Sequence, residues 1–445
     1  MCALVAGAGG IFRRDISHRD FVQSFSLFDP DIVANQRSRW STFLAAAMAG
    51  TILDKPAFNS PYPRTHLHLH PPIKDRLQSS YDDVNFELDL IRQFHRYSNI
   101  IFLGCDGLGY MRLIHRLAQD PQLYLMSTPI IIPQLGEHPH GTFHVLHGNW
   151  RVWWPFLETL AAVVGNKQVG AEPIVSHFNK YDHFMKIAIR ACAEYVAEIS
   201  ATGLDFRNVP LFLSAADQNV SFSIVVYFLF TFGFLYLQMR NAVRCNESAT
   251  LDKIWREFLS TAHTKDSNKT NYSQMSVIRV YWGRALVDEL KQLYHNLRTM
   301  RLLHTHVGWD MFIEHVNLLI GESRADTWEQ ITSFLEHYNF TSVVNRGLEE
   351  VFGNGNKDSV WYKKIDKDVE TIKEFLRTRI GATFAAATSQ SDQNLMTLDL
   401  TRWCGTRVSK LKEHLPWLVA RKQSKSNSTY VAQQLQKLCH WHVWV

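Results

Sequence analysis

From Gln218 to Met239 the chain carries no charged residue, and the middle of that span, VSFSIVVYFLFTFGFLYL, is a run of aromatic, aliphatic and small side chains. A segment of this kind has two stable environments. It lies in a bilayer, for which about 20 apolar residues suffice, or it lies at the centre of a protein core large enough to cover all of its faces. Gln218, Asn219, Ser221 and Ser223 dilute its N-terminal end, and no second such segment occurs, which favours a buried core helix over a membrane span. A chain of 445 residues can supply that core, in two or three packing units at roughly 100–200 residues per domain. With 46% hydrophobic and 20% charged residues it is neither disordered, collagen-like nor a coiled coil.

Around this segment the pattern is helical. SRWSTFLAAAMAG reads as a helix before the Pro-rich loop PAFNSPYPRTH, and WWPFLETLAAVVG and YDHFMKIAIRACAEYVAEISATG repeat apolar residues every three to four positions. Further on, SATLDKIWREFLSTAH, SVIRVYWGRALVDELKQLYHNLRT, WDMFIEHVNLLIG, DTWEQITSFLEHYNFTSVVNRGLEEVFG and KDVETIKEFLRTRIG read the same way. One stretch differs. VNFELDLIRQFHRY has helical spacing, SNIIFLGCDG is a short apolar run ending in Gly and Asp, YMRLIHRLAQD is amphipathic, and STPIIIPQLG is a second compact apolar run, so an α/β alternation is expected there.

Forty-seven Lys plus Arg against forty-two Asp plus Glu give a net charge of +5, which permits a polyanionic partner without requiring one. The six cysteines are scattered singly, with no C-x-x-C pair, unlike a zinc ribbon or a small secreted disulfide scaffold. The N-terminus lacks a basic region before its short small-residue stretch, so a nuclear or cytoplasmic rather than a secreted protein is expected.

Two acids carry the sharpest chemical suggestion. Asp106 follows the apolar run IIFLGC, where a strand stops pairing and a carboxylate at its carboxyl edge can bind a divalent metal; the competing reading is a turn residue or helix cap. In WDMFIEHVNLLI, Glu314 and Asn317 stand three residues apart on one helix face and could offer two oxygen ligands to one ion, or simply form a solvated stripe.

The segments GCDGLGYMRLIHRL, IIIPQLGEHPHGTFHVLHGNW and HVGWDMFIEHVNLLI, in that order, resemble a transposon-derived family with an RNase H-like domain, similar to the KDZ-type transposases. The resemblance covers roughly residues 85 to 380. It implies an α/β RNase H-like core interrupted by a large α-helical insertion in an α-rich chain. The corresponding division is 1–80, an incomplete N-terminal region; 81–151, the α/β core segment; 152–300, the insertion; 301–385, the core return; and 386–445, a linker and basic C-terminal region. It further implies that Asp106 and Glu314 are the second and third acids of a catalytic triad, with Asn317 as a further metal ligand and Asp310, His315 and His144 in support. Mg²⁺ or Mn²⁺ held there would drive phosphodiester cleavage or strand transfer on DNA. Two departures bear on activity. Gly107 stands where the family has Gln, and no early Asp-Asn pair supplies the first acid, so the triad is incomplete and a non-catalytic DNA- or partner-binding remnant is the companion expectation.

Other clusters offer rival chemistry. His66, His68 and His70 alternate as in the first strand of Zn²⁺-dependent amidohydrolases, the basis of an alternative reading as a zinc hydrolase, although the helical pattern after residue 150 leaves no room for eight βα units. His138, His140, His144 and His147 lack the Glu-bearing helix of a zinc protease. Arg402, Arg407, Lys410, Lys412, Arg421 and Lys422, interleaved with Trp403 and Trp417, suit phosphate contact with aromatic stacking, or a solvated helix face. The expected partners are therefore DNA and further copies of the chain as a homo-oligomer, without a small-molecule cofactor or a membrane.

Overall fold

The computed structural model describes residues 30–54, 56, 100–105, 128–133, 153, 156–165, 178–201, 205–216, 219–261, 286–296, 299–301, 306–308, 320, 323, 327, 329–337 and 359–380. The first helix, α1 (Pro30–Met48), begins with proline, whose fixed φ and missing N–H cost nothing in a first turn. Its end is set by Gly50 at φ +71, with Gly50 N–H donating to the Ala47 carbonyl and Thr51 N–H to the Ala46 carbonyl at 2.8 Å. This pairing with a left-handed glycine gives the Ala46 and Ala47 carbonyls partners at the helix end.

Helices α2 (Phe178–Ala201), α3 (Val209–Ala216), α4 (Val220–Phe228), α5 (Phe234–Cys245) and α6 (Ser248–Thr261) follow, then α7 (Asp288–Asn296) and α8 (Ser359–Ile380). The charge-free segment is one long helix: α4 and α5 are joined through the π-helical turn Leu229–Gly233. Asn219 caps its start by accepting from Phe222 N–H at 3.0 Å. Asn246, at φ 52, ends it with the same pair of bonds as Gly50: Asn246 N–H to the Val243 carbonyl and Glu247 N–H to the Ala242 carbonyl.

Protein surrounds that helix. Ser221–Cys245 passes a length-and-hydropathy test for a membrane span, and 89% of its apolar window is buried inside the fold. The core around it joins α1, residues 153–161, α2, α3, α6 and α8. Trp40 anchors one side, its ring centroid 5.4, 5.8 and 5.5 Å from those of Phe212, Phe230 and Phe234, and its indole N–H donates to the Phe206 carbonyl. Phe228 anchors the other, 5.5 Å from Trp153 and 5.3 Å from Phe156. At the crossing with α2 the backbone approaches closely: a Cβ on Gly233 would stand 3.2 Å from Ile189 Cγ1.

The expectation of an α/β RNase H-like core is overturned. The described residues are overwhelmingly helical, and their packed core is built almost entirely from helices. Among the described residues the strands form two separate pairs: β1 (Ile100–Cys105) parallel to β2 (Thr128–Pro133), and the short antiparallel pair β3 (Thr299–Arg301) and β4 (His306–Gly308). Two pairs of this kind do not make the continuous sheet on which an RNase H-like catalytic centre is built. The physical reason lies in the apolar residues: helical stripes and the charge-free segment hold most of them, so burial is satisfied by helix-on-helix packing. The helical body also takes α1 from the N-terminal region and α8 from beyond residue 300, outside the 152–300 stretch.

Candidate functional site

Three polar clusters are built into the helical body. In the first, the guanidinium of Arg39 forms a two-pronged pair with Glu257, at 2.8 Å from Nη1 to Oε2 and 2.7 Å from Nη2 to Oε1, with both side chains buried. Gln36 donates to Glu257 Oε1 at 3.1 Å, Gln238 Oε1 accepts from Arg39 at 3.2 Å, and Asn35 and Gln238 exchange amide bonds at 3.0 and 3.3 Å. Arg39 Nη2 also reaches the Phe230 carbonyl, 3.5 Å away, inside the π-helical turn. The wider turn of a π-helix disturbs the regular carbonyl pairing, and a buried guanidinium is well suited to fill the gap. This cluster ties α1, α5 and α6 together.

The second cluster centres on Asp182 of α2. It accepts from the Tyr236 hydroxyl at 2.5 Å, pairs with Arg240 and binds Lys186 Nζ at 2.9 Å. Burial lowers the proton affinity of both cations and raises the Tyr236 phenol well above its ordinary range.

The third runs along the seam of α2 and α8. Lys373 Nζ lies 3.1 Å from Glu194, 2.8 Å from Glu198 and 2.8 Å from Glu370. Arg377 binds Glu198 at 2.8 Å and Glu374 at 3.2 Å, and Arg190 binds Glu194 at 2.7 Å and Asp366 at 2.8 Å. Burial pushes the Glu198 carboxyl up, but the hydrogen bonds from Lys373 and Arg377 outweigh it and hold the group below the usual carboxylate range. Desolvation of Lys373 is likewise outweighed by its three carboxylates, and its proton affinity rises.

None of these clusters is a residue set singled out by the sequence motifs. Asp106, Glu314, Asn317, Asp310, His315 and His144 lie outside the described residues, as do His66, His68 and His70 and the basic positions Arg402, Arg407, Lys410, Lys412, Arg421 and Lys422. What the structure does give is the backbone leading into two of the motifs. β1 ends at Cys105, the residue before Asp106, and Cys105 is in register with Pro133 of the parallel strand β2. β4 ends at Gly308, two positions before Asp310, and it packs against α5. Inside the β3–β4 pair, the buried Thr299 hydroxyl and His306 Nδ1 are 2.9 Å apart, a bond that fixes the ring of that histidine. Among the described residues no three His, Cys, Asp or Glu side chains are grouped to hold a metal ion.

Comparison with protein-family models, curated proteins and solved structures finds no match to this chain. The buried networks themselves left one faint trace in the sequence. Asn35, Gln36, Arg39 and Phe43 recur at helical spacing on what becomes a buried face, so polar residues at core positions of α1 marked partners elsewhere in the chain.

Proposed function

We propose that the chain is a transposon-derived protein that acts on DNA, with Asp106 and Glu314 as carboxylate ligands for Mg²⁺ or Mn²⁺. The observation that supports it is the end of β1. A parallel strand pair terminates at Cys105 and Pro133, the carboxyl edge where parallel strands characteristically meet ligands, and Asp106 is the next residue in the sequence. The donor chemistry fits a hard cation: Asp106 and Glu314 supply carboxylate oxygens and Asn317 an amide oxygen. Asp310, His315 and His144 are supporting groups in this reading, and the cations from Arg402 to Lys422 make sequence-independent phosphate contacts. The proposal needs oxygen donors gathered around the metal, which elements other than an RNase H-like sheet can also supply. It includes loss of cleavage with retention of DNA binding, since the first acid of the motif set is missing.

Supercoiled plasmid incubated with the full chain, with and without Mg²⁺ or Mn²⁺, tests it. Metal-dependent nicking that disappears in Asp106→Asn and in Glu314→Gln supports the enzymatic form. Salt-dependent DNA binding without nicking, weakened by neutralising Arg402, Arg407, Lys410 and Lys412, supports the non-catalytic form. Absence of DNA binding at low salt overturns both.

A further inference from the structure

The helix α8 is held differently from every other helix of the core. Its one extensive contact among the described elements is with α2, whereas α2 itself also packs on α1, α4 and the π-helical turn. On α8 the buried residues Val369, Ile372, Leu376 and Ile380 form a single stripe, spaced three to four residues apart and joined to the main core. Along one flank of that stripe run the ion pairs of Arg190, Glu194, Glu198, Lys373 and Arg377.

Close to the seam lies a buried hydroxyl without a hydrogen-bond partner. Tyr195 of α2 is 1% exposed and its hydroxyl has no hydrogen-bond partner, although it lies within electrostatic reach of Glu198 on its own helix and of Arg377 on α8. A buried hydroxyl without a partner disfavours the state that buries it, because water would satisfy it once exposed. The docked position of α8 therefore carries a built-in opposing term, offset by an apolar stripe and by ion pairs that are partly open to solvent.

We propose that α8 is a clasp: a helix that docks on α2 reversibly, opens as a unit while the α4–α5 core stays folded, and is tuned by ionic strength through the Lys373 and Arg377 pairs and by the Tyr195 hydroxyl. This inference is independent of any action on DNA.

Hydrogen exchange of the full chain, followed by mass spectrometry at about 0.1 M and about 1 M NaCl, tests it, since the screening length falls from about 10 Å to about 3 Å between the two. The expected result is exchange of 359–380 several-fold faster at high salt, with 220–245 unchanged. Glu198→Gln, which removes the shared partner of Lys373 and Arg377, should reproduce the high-salt rate at low salt. Tyr195→Phe should slow the opening of 359–380, an effect that loss of an ordinary structural contact would not produce. A common exchange rate for 359–380 and 220–245 at both salt concentrations overturns the proposal, and so does a Tyr195→Phe chain whose 359–380 segment opens no more slowly.

Discussion

The helices Val220–Cys245 and Ser359–Ile380 enter the same core by opposite means. The first is largely enclosed by aromatic and aliphatic side chains; its own Arg240 pairs with Asp182 at one edge, and the Arg39–Glu257 pair packed against it is buried and flanked by the amides of Gln36 and Gln238. Among the described elements the second offers one apolar stripe to one main neighbour, and its ion pairs grade from the nearly buried Lys373–Glu194 pair to a half-exposed rim, where Glu198 and Arg377 each keep 40% of their side-chain surface. Burial decides what each interaction is worth. A dry pair is costly to form and more costly to break singly, while a wet pair is weak, screened by salt and replaceable by its neighbours. The core helix is therefore fixed in one arrangement, and the outer helix is adjustable.

The comparison breaks most sharply at Glu257. Glu257→Gln removes the charge that compensates Arg39, and loss of about 3–5 kcal/mol of stability is expected, measured as a fall in denaturation midpoint. Arg39→Met combined with Glu257→Leu should cost much less than Glu257→Gln alone, because no buried charge is then left unpaired. If the double variant is as unstable as the single one, the Arg39 contact with the π-helical turn outweighs the ion pair.

A smaller loss is expected at Gly233, where α5 begins against α2. Gly233→Val places side-chain atoms where a Cβ alone already stands 3.2 Å from Ile189 and 3.4 Å from Leu229. Overpacking of this kind costs about 1–3 kcal/mol. Gly233→Val combined with Ile189→Ala should recover part of it, and equal stability of the two variants would show that the helices separate instead of compressing.

The same contrast governs what could be read from the chain. The charge-free span at 218–239 favoured a buried helix over a membrane span, and 89% of the apolar window of Ser221–Cys245 lies inside the fold. The stripes of YDHFMKIAIRACAEYVAEIS and SATLDKIWREFLST likewise carry the helices that form there, since their period is local. The α/β expectation failed at the next level. Two apolar runs, IIFLGC and TPIIIP, do pair, but a pair of strands is also a minor attachment to a helical body, and strand periodicity gives no count of further strands. Arg39 with Glu257 and Asp182 with Arg240 were invisible because pairing across 218 and 58 positions is a property of packing. Of the candidate site, the residue before Asp106 and the strand two positions before Asp310 are described, and the acids themselves fall outside the described residues.

The smallest effect sharpens the outer helix. Glu198 is held below the ordinary carboxylate range by Lys373 and Arg377, so the folded chain binds its proton less readily than the unfolded chain does. The stabilisation it gives is therefore complete above the unfolded carboxylate range, about pH 4–5, and fades as pH falls through that range toward the lowered folded value. Because the rim is open to solvent, the change is small and shrinks further in high salt. Comparison of thermal midpoints between pH 7 and pH 4, for the natural chain and for Glu198→Gln, isolates it. The natural chain should lose more stability on acidification than the variant, and the difference should vanish at about 1 M NaCl. An equal acid loss in both chains would mean that Glu198 is not ionised in the seam in the way its contacts require. The adjustable character of the outer helix would then rest on its apolar stripe alone.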